Sequence, residues 1–243
     1  MPQFRPRILS FPLLLCLGAF STHSVASYDR MITEAELAVL PQWCVSAFQN
    51  SGYSDKVAPK KRSGGGRVQD TDRSSDTSSL HIPGGHHFCN GLVEFNRGKK
   101  RKASYALAVD EFNYSYSRMD VTYPHLSYVA SYLGKALYAS GKRRQAAEVW
   151  TDAISAQPAN RHSYLALTEA LLGEGQYEEA LRVMLAYDKA KETESADAEQ
   201  FLAQVYFKLN QYDKARVHAE KARQLGYPFT ALLDKLNRMQ DGK

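Results

Sequence analysis

Helical periodicity and breaks alternate along most of this chain. Phe88, Leu92 and Phe95 recur at the spacing of one helix face, and Tyr105, Ala108, Val109, Phe112 and Tyr116 do so again. The basic stretch Arg97 to Lys102 separates them, so a degenerate helical pair is predicted over 86–123. Near the end of the chain, Leu232, Leu233 and Leu236 share one face while Lys235, Arg238 and Asp241 take the other. That pattern predicts an amphipathic helix from Phe229 to Gln240. Residues 27–49 read as a short helical segment in two parts. Thr33 can cap the first, with Glu36 three residues on completing a capping box, and Pro41 can open the second, which carries Trp43, Cys44 and Phe48. Residues 50–85 lack an apolar face. Lys60-Lys61-Arg62, Gly64-Gly65-Gly66 and the Ser/Asp-rich run Asp70 to Ser79 predict a long flexible insert.

Over 124–243 the pattern itself repeats. Gly141, Gly175 and Asn210 are turn residues spaced by 34 and 35 positions. Ala146, Ala180 and Ala215 each follow a turn by five residues, and Leu133-Gly134, Leu167-Thr168 and Leu202-Ala203 end seven residues before one. Trp150, Met184 and Ala219 share a register, as do Tyr177 and Tyr212. Each unit is therefore a helix, a tight turn and a second helix, with small residues where the helices cross and large ones filling the holes between neighbours. Leu133-Gly134-Lys135-Ala136-Leu137, the turn glycine, Ala146, Trp150 and Pro158 resemble the tetratricopeptide repeat. Units at 127–160, 161–194 and 196–229 match it in register. The resemblance implies an all-α helix-turn-helix solenoid, closed by the terminal helix because the last unit otherwise exposes its apolar side.

It also implies a use. First helices of such units line a concave groove, and the register carries this role to Tyr128, Ser131, Lys135 and Tyr138 in the first unit. The second contributes His162, Leu165, Glu169 and Leu172, and the third Asp197, Gln200, Gln204, Phe207 and Lys208. The mixture of aromatic, apolar and polar groups suits a protein or peptide partner. Tyr132, Ala166 and Phe201 stand where the family's carboxylate-clamping Asn residues would be, so that specificity is not implied.

Composition narrows the class. With 44% hydrophobic and 23% charged residues among 243, the chain is neither disordered nor collagen-like. Residues 1–26 read as a cleaved signal peptide. Arg5 and Arg7 precede the apolar stretch Ile8 to Phe20, and Ser24-Val25-Ala26 offers a cleavage site after Ala26. Removing 26 residues from 243 leaves 217, and losing the two arginines takes the formal charge from +5 to +3. Nothing in that balance calls for nucleic acid. Periplasmic or secreted placement is expected, and Cys44 and Cys89, the two cysteines left, are expected to form a disulfide.

The N-terminal part resembles a family of exported bacterial tetratricopeptide proteins. Pro41-Gln42-Trp43-Cys44 matches its Pro-x-x-Cys element, and His86-His87-Phe88-Cys89-Asn90-Gly91-Leu92 matches His-His-x-Cys-x-Gly-Leu. Cys44, Cys89, His81, His86 and His87 could alternatively serve a metal- or redox-dependent protein, since Zn²⁺ accepts these ligands. No nucleophile elbow, phosphate loop or haem attachment is present in the sequence, so neither catalysis nor a cofactor is expected. A partner in an envelope, export or polysaccharide assembly is the leading reading. The cluster Lys99-Lys100-Arg101-Lys102 leaves peripheral membrane association open.

Overall fold

The computed structural model describes residues 31–49, 51 and 82–241. The expected signal peptide, residues 50 and 52–81 of the insert, and His81 lie outside the described residues. Two short helices come first, α1 (Glu34–Ala38) and α2 (Trp43–Gln49). Four hairpins follow: α3 (Gly85–Gly98) with α4 (Ser104–Tyr116), α5 (Leu126–Ala139) with α6 (Arg143–Ala156), α7 (Arg161–Gly173) with α8 (Tyr177–Ala190), and α9 (Ala196–Lys208) with α10 (Tyr212–Gln224). The helix α11 (Ala231–Asp241) packs on α10 and buries Leu233 and Leu236. Each hairpin packs on the next, and α7 touches both α5 and α9, so the first helices α5, α7 and α9 form one continuous layer.

The turns show why the period is so regular. Gly141, Gly175, Asn210 and Gly226 all have left-handed backbone, with φ between 58 and 88°. At each, the next residue's N–H reaches back five positions and the turn residue's own N–H reaches back three, as in Lys142 N to Leu137 O and Gly141 N to Tyr138 O. This paired closure satisfies carbonyls the helix end would otherwise leave open, and it needs a residue tolerant of positive φ. Asn210 fills that role in the third unit because a short polar side chain tolerates it best after glycine.

Within hairpins, small residues admit large partners. Any side-chain carbon on Gly134 would overlap the Trp150 indole, and one on Gly91 would overlap the Phe112 ring. Trp150 is fully buried, and its Nε1–H donates to the Ser131 carbonyl at 3.3 Å. Between hairpins, Ser127 and Ser163 are both fully buried and bonded to each other, Oγ to Oγ at 3.0 Å. Two hydroxyls with matched partners can be buried without the cost of an orphaned polar group.

The N-terminal segment caps the stack. Thr33 and Glu36 form the predicted capping box, and Ile32, Phe48 and Cys44 are buried against α3. Cys44 and Cys89 are joined in a disulfide with Cα atoms 5.5 Å apart. Two details differ from the sequence reading. Arg97 is not part of the basic break: it lies in α3 and binds Glu36 at 2.5 Å and Glu94 at 2.7 Å. Burial would raise the Glu36 carboxyl, but the guanidinium and the Thr33 bonds outweigh it and hold the group at about 2. The fold also resumes before residue 86, because Ile82 is buried and Gly85 already starts α3.

One charge cluster ties α9 to α10. Glu199 is 1% exposed, accepts from Lys221 at 2.8 Å and lies 2.7 Å from His218 Nδ1, while Lys191 stands at 3.5 Å. Burial alone would raise this carboxyl; His218 and Lys221 overcome that and lower it to about 2. A depressed folded value stabilises the fold above the unfolded carboxyl range, and the contribution fades as pH falls toward 2. Glu199→Gln should therefore cost about 2 kcal/mol at pH 7, after allowing for the exposure of Lys221. Urea melts at pH 7, 4.5 and 2.5 check it, and the gap to wild type should narrow toward the lowest pH.

Candidate functional site

The predicted groove residues do not behave as one surface. Those of α5 and the start of α7 are largely committed to each other. Ser131 is buried and donates to the Tyr128 carbonyl at 2.7 Å, so its hydroxyl is spent inside its own helix. Lys135 and Glu169 pair at 2.7 Å across α5 and α7, and Arg161 reaches Asp197 at 3.8 Å across α7 and α9. These pairs bridge neighbouring units and lower the charge offered to a partner. Tyr128 meets the edges of Tyr132 and His162, with ring centroids 5.3 and 5.2 Å away. Burial, then the Tyr132 hydroxyl, push its phenol up. His162 holds the side-chain Oδ1 of Asn160 through Nδ1 at 2.7 Å; burial and the nearby Arg161 lower it to about 4, so the ring is neutral at physiological pH. Tyr138 lies under the Arg143 guanidinium, 5.6 Å from the ring centroid, and Leu165 packs against the core that holds Met184 and Leu202.

The other five converge. Leu172, Gln200, Gln204, Phe207 and Lys208 line one cleft of about 480 Å³ with Gly173, Phe229, Ala231 and Leu232. Its apolar surface comes from Leu172, Phe207, Phe229 and Leu232, and its polar groups are two side-chain amides and an ammonium. Lys235 adds a second cation, with Nζ 4.6 Å from the Phe207 ring centroid. The contribution of Phe229, Leu232 and Lys235 is not visible from the repeat register, because they belong to the cap. Phe229 did leave a signal: an aromatic with no repeat role, and 70% exposed in the structure. A second cavity, of about 530 Å³, lies between the α9–α10 turn and α11 and contains none of the predicted groove residues.

The cysteine–histidine alternative finds no support. The sulfurs of Cys44 and Cys89 are bonded to each other and offer no thiolate. His87 Nδ1 lies 2.6 Å from Glu111, which also accepts from Asn90 at 2.7 Å, and its ring stacks on Tyr114 with centroids 3.6 Å apart. Burial raises the Glu111 carboxyl against the pull of His87 and Asn90. His86 is pushed down by burial and by His87. Among the described residues no group of three or more His, Cys, Asp or Glu is placed to hold a metal ion.

A family model of the tetratricopeptide repeat matches residues 161–186, the span of α7 and most of α8. The helical stack is a tetratricopeptide-type solenoid. Over 101 residues, 42% of the chain, it is 32% identical to the human protein O-mannosyl-transferase TMTC1. The matched part of this repeat solenoid spans 11% of that protein. A solved structure described as the MamA RS-1 ArsTM double mutant is 19% identical, covers 63% of this chain and 97% of its own, and superposes with a TM-score of 0.39. Among the described residues of the solenoid, no helix is long and apolar enough to cross a membrane.

Proposed function

We propose that this chain is an exported, non-enzymatic scaffold whose C-terminal cleft holds an extended segment of a partner protein, within a bacterial envelope, export or polysaccharide assembly. One observation carries the reading: Leu172, Gln200, Gln204, Phe207 and Lys208, drawn from two successive first helices, meet the cap residues Phe229 and Leu232 around one cleft. An apolar floor anchors a side chain, and the flanking amides can bond a peptide backbone. The cleft offers no nucleophile or paired carboxylate, which favours binding over reaction. The leader-like residues 1–26 and the cysteine bridge both fit an oxidising compartment.

Peptides selected from a display library on the purified 27–243 chain should lose about 30-fold in affinity on Phe207→Ala or Phe229→Ala, the scale of an aromatic anchor. Undiminished binding to both variants would remove the cleft from the proposal. Cell fractionation with intact mass tests the address: the recovered chain should begin at Ser27 and appear outside the cytoplasm.

A further inference from the structure

We infer that one edge of the solenoid, formed by the α3–α4 loop and the α5–α6 turn, docks on an anionic phospholipid surface. The loop presents Lys99, Lys100, Arg101 and Lys102, all exposed, and the turn presents Lys142, Arg143 and Arg144. Ring contacts between the first helices, together with the packing of α4 on α5, put these segments side by side. On the first helices, the Phe88 ring lies 5.5 Å from both Tyr128 and Tyr132, which sets Lys99 to Lys102 level with Gly141 to Arg144. Neighbouring packed helices stand about 8–10 Å apart, so seven cations share one edge.

Little opposes them. Arg143 lies 3.5 Å from Glu174 and Arg144 lies 3.3 Å from Glu148, and the Arg144 side chain is still 91% exposed. Arg101 donates to the Ser104 hydroxyl. Among the described residues, no carboxylate stands within ion-pair distance of Lys99, Lys100, Lys102 or Lys142. The same edge carries apolar surface. Val39, 69% exposed, lines with Leu40, Phe95 and Lys99 a shallow cleft of about 280 Å³. Exposed cations around an exposed aliphatic side chain suit a lipid interface, where phosphates attract the charges and the headgroup layer accepts the apolar group. A partner recognised by charge alone would have no use for Val39. The next turn along the edge reverses sign, with Glu174, Glu178 and Glu179, so the basic surface of the first two connections does not continue onto the third.

The test is vesicle co-sedimentation of the 27–243 chain, comparing phosphatidylcholine alone with phosphatidylcholine containing phosphatidylglycerol. A variant with Lys99, Lys100, Lys102 and Lys142 all changed to Gln is run beside it; these side chains are exposed and have no ion pair among the described residues, and a thermal melt confirms the fold. Binding to the anionic vesicles only, lost at ~0.5 M salt and reduced on the order of 100-fold in the variant, is the expected result. Equal binding to both vesicles, no binding to either, or binding that the variant leaves intact overturns the inference. So does a soluble polyanion such as heparin binding through these lysines while vesicles do not. Phe207→Ala should leave sedimentation unchanged, which separates this edge from the C-terminal cleft.

Discussion

Gly134→Thr is expected to destabilise the protein by at least ~3 kcal/mol, and Trp150→Met to recover much of that loss. The expectation follows from the tightest crossing in the stack. A side chain on Gly134 has no free volume, because the Trp150 indole lies against its α-carbon and a buried ring cannot rotate away. Overpacking a filled core costs about 1–3 kcal/mol, and a rigid aromatic neighbour puts this site at the upper end or beyond. The second unit supplies the remedy: Thr168 and Met184 occupy the equivalent positions, both fully buried. Copying that pair into the first unit trades the ring for a shorter, flexible side chain. Wild-type stability should not return in full. Among the described residues the buried Thr168 hydroxyl has no hydrogen-bond partner, and the Trp150 bond to the Ser131 carbonyl is lost. Denaturant melts of both single variants and the pair should show a coupling of at least ~2 kcal/mol. Simple addition of the two penalties would mean that the contact does not set the choice of glycine. Gly173→Ala is the control: nothing lies near its added carbon, and about 0.5–1 kcal/mol of stabilisation is expected from helix propensity.

The solenoid is legible in the sequence because its rules are local. Gly141, Gly175 and Asn210 recur since each helix end needs a left-handed residue, and Gly134, Thr168 and Ala203 stay small as their partners run Trp150, Met184, Ala219. Periodicity records both. The binding surface is less legible, because register says which way a position faces and not what already stands there. Lys135 and Glu169 both hold groove positions, yet they are 2.7 Å apart and paired. Arg97 looked like one more cation in a basic run until Glu36, 61 residues away, is brought to it. The His218–Glu199 and His87–Glu111 pairs are hidden for the same reason: they join positions 19 and 24 residues apart that share no repeat register. Phe229 is not marked for the cleft by the register because it is the final residue of the last unit, where the period stops assigning roles.

Breaking the Cys44–Cys89 bridge should remove stability from the N-terminal end alone. The bridge spans 45 residues, and the chain-entropy argument assigns about 4 kcal/mol to closing a loop of that length. Much of the loop is the insert, which has no apolar face to hold its ends together once the covalent link is gone. What remains is modest: Ile32 and Phe48 buried against α3, Trp43 stacked on Phe88 at 5.9 Å, and Arg97 bound to Glu36. Repeat stacks pass stability from neighbour to neighbour, so loss of an end cap frays the adjoining hairpin first. In the Cys44→Ala/Cys89→Ala variant, amides of α2 and the start of α3 should exchange with solvent at least ~100-fold faster. Those of α9 and α10, three hairpins away and held by Glu199, should keep their protection. Reductant should reproduce the pattern in the wild-type chain. Exchange that is unchanged in α2, or that accelerates equally in α10, would show that the bridge is not what fastens this cap.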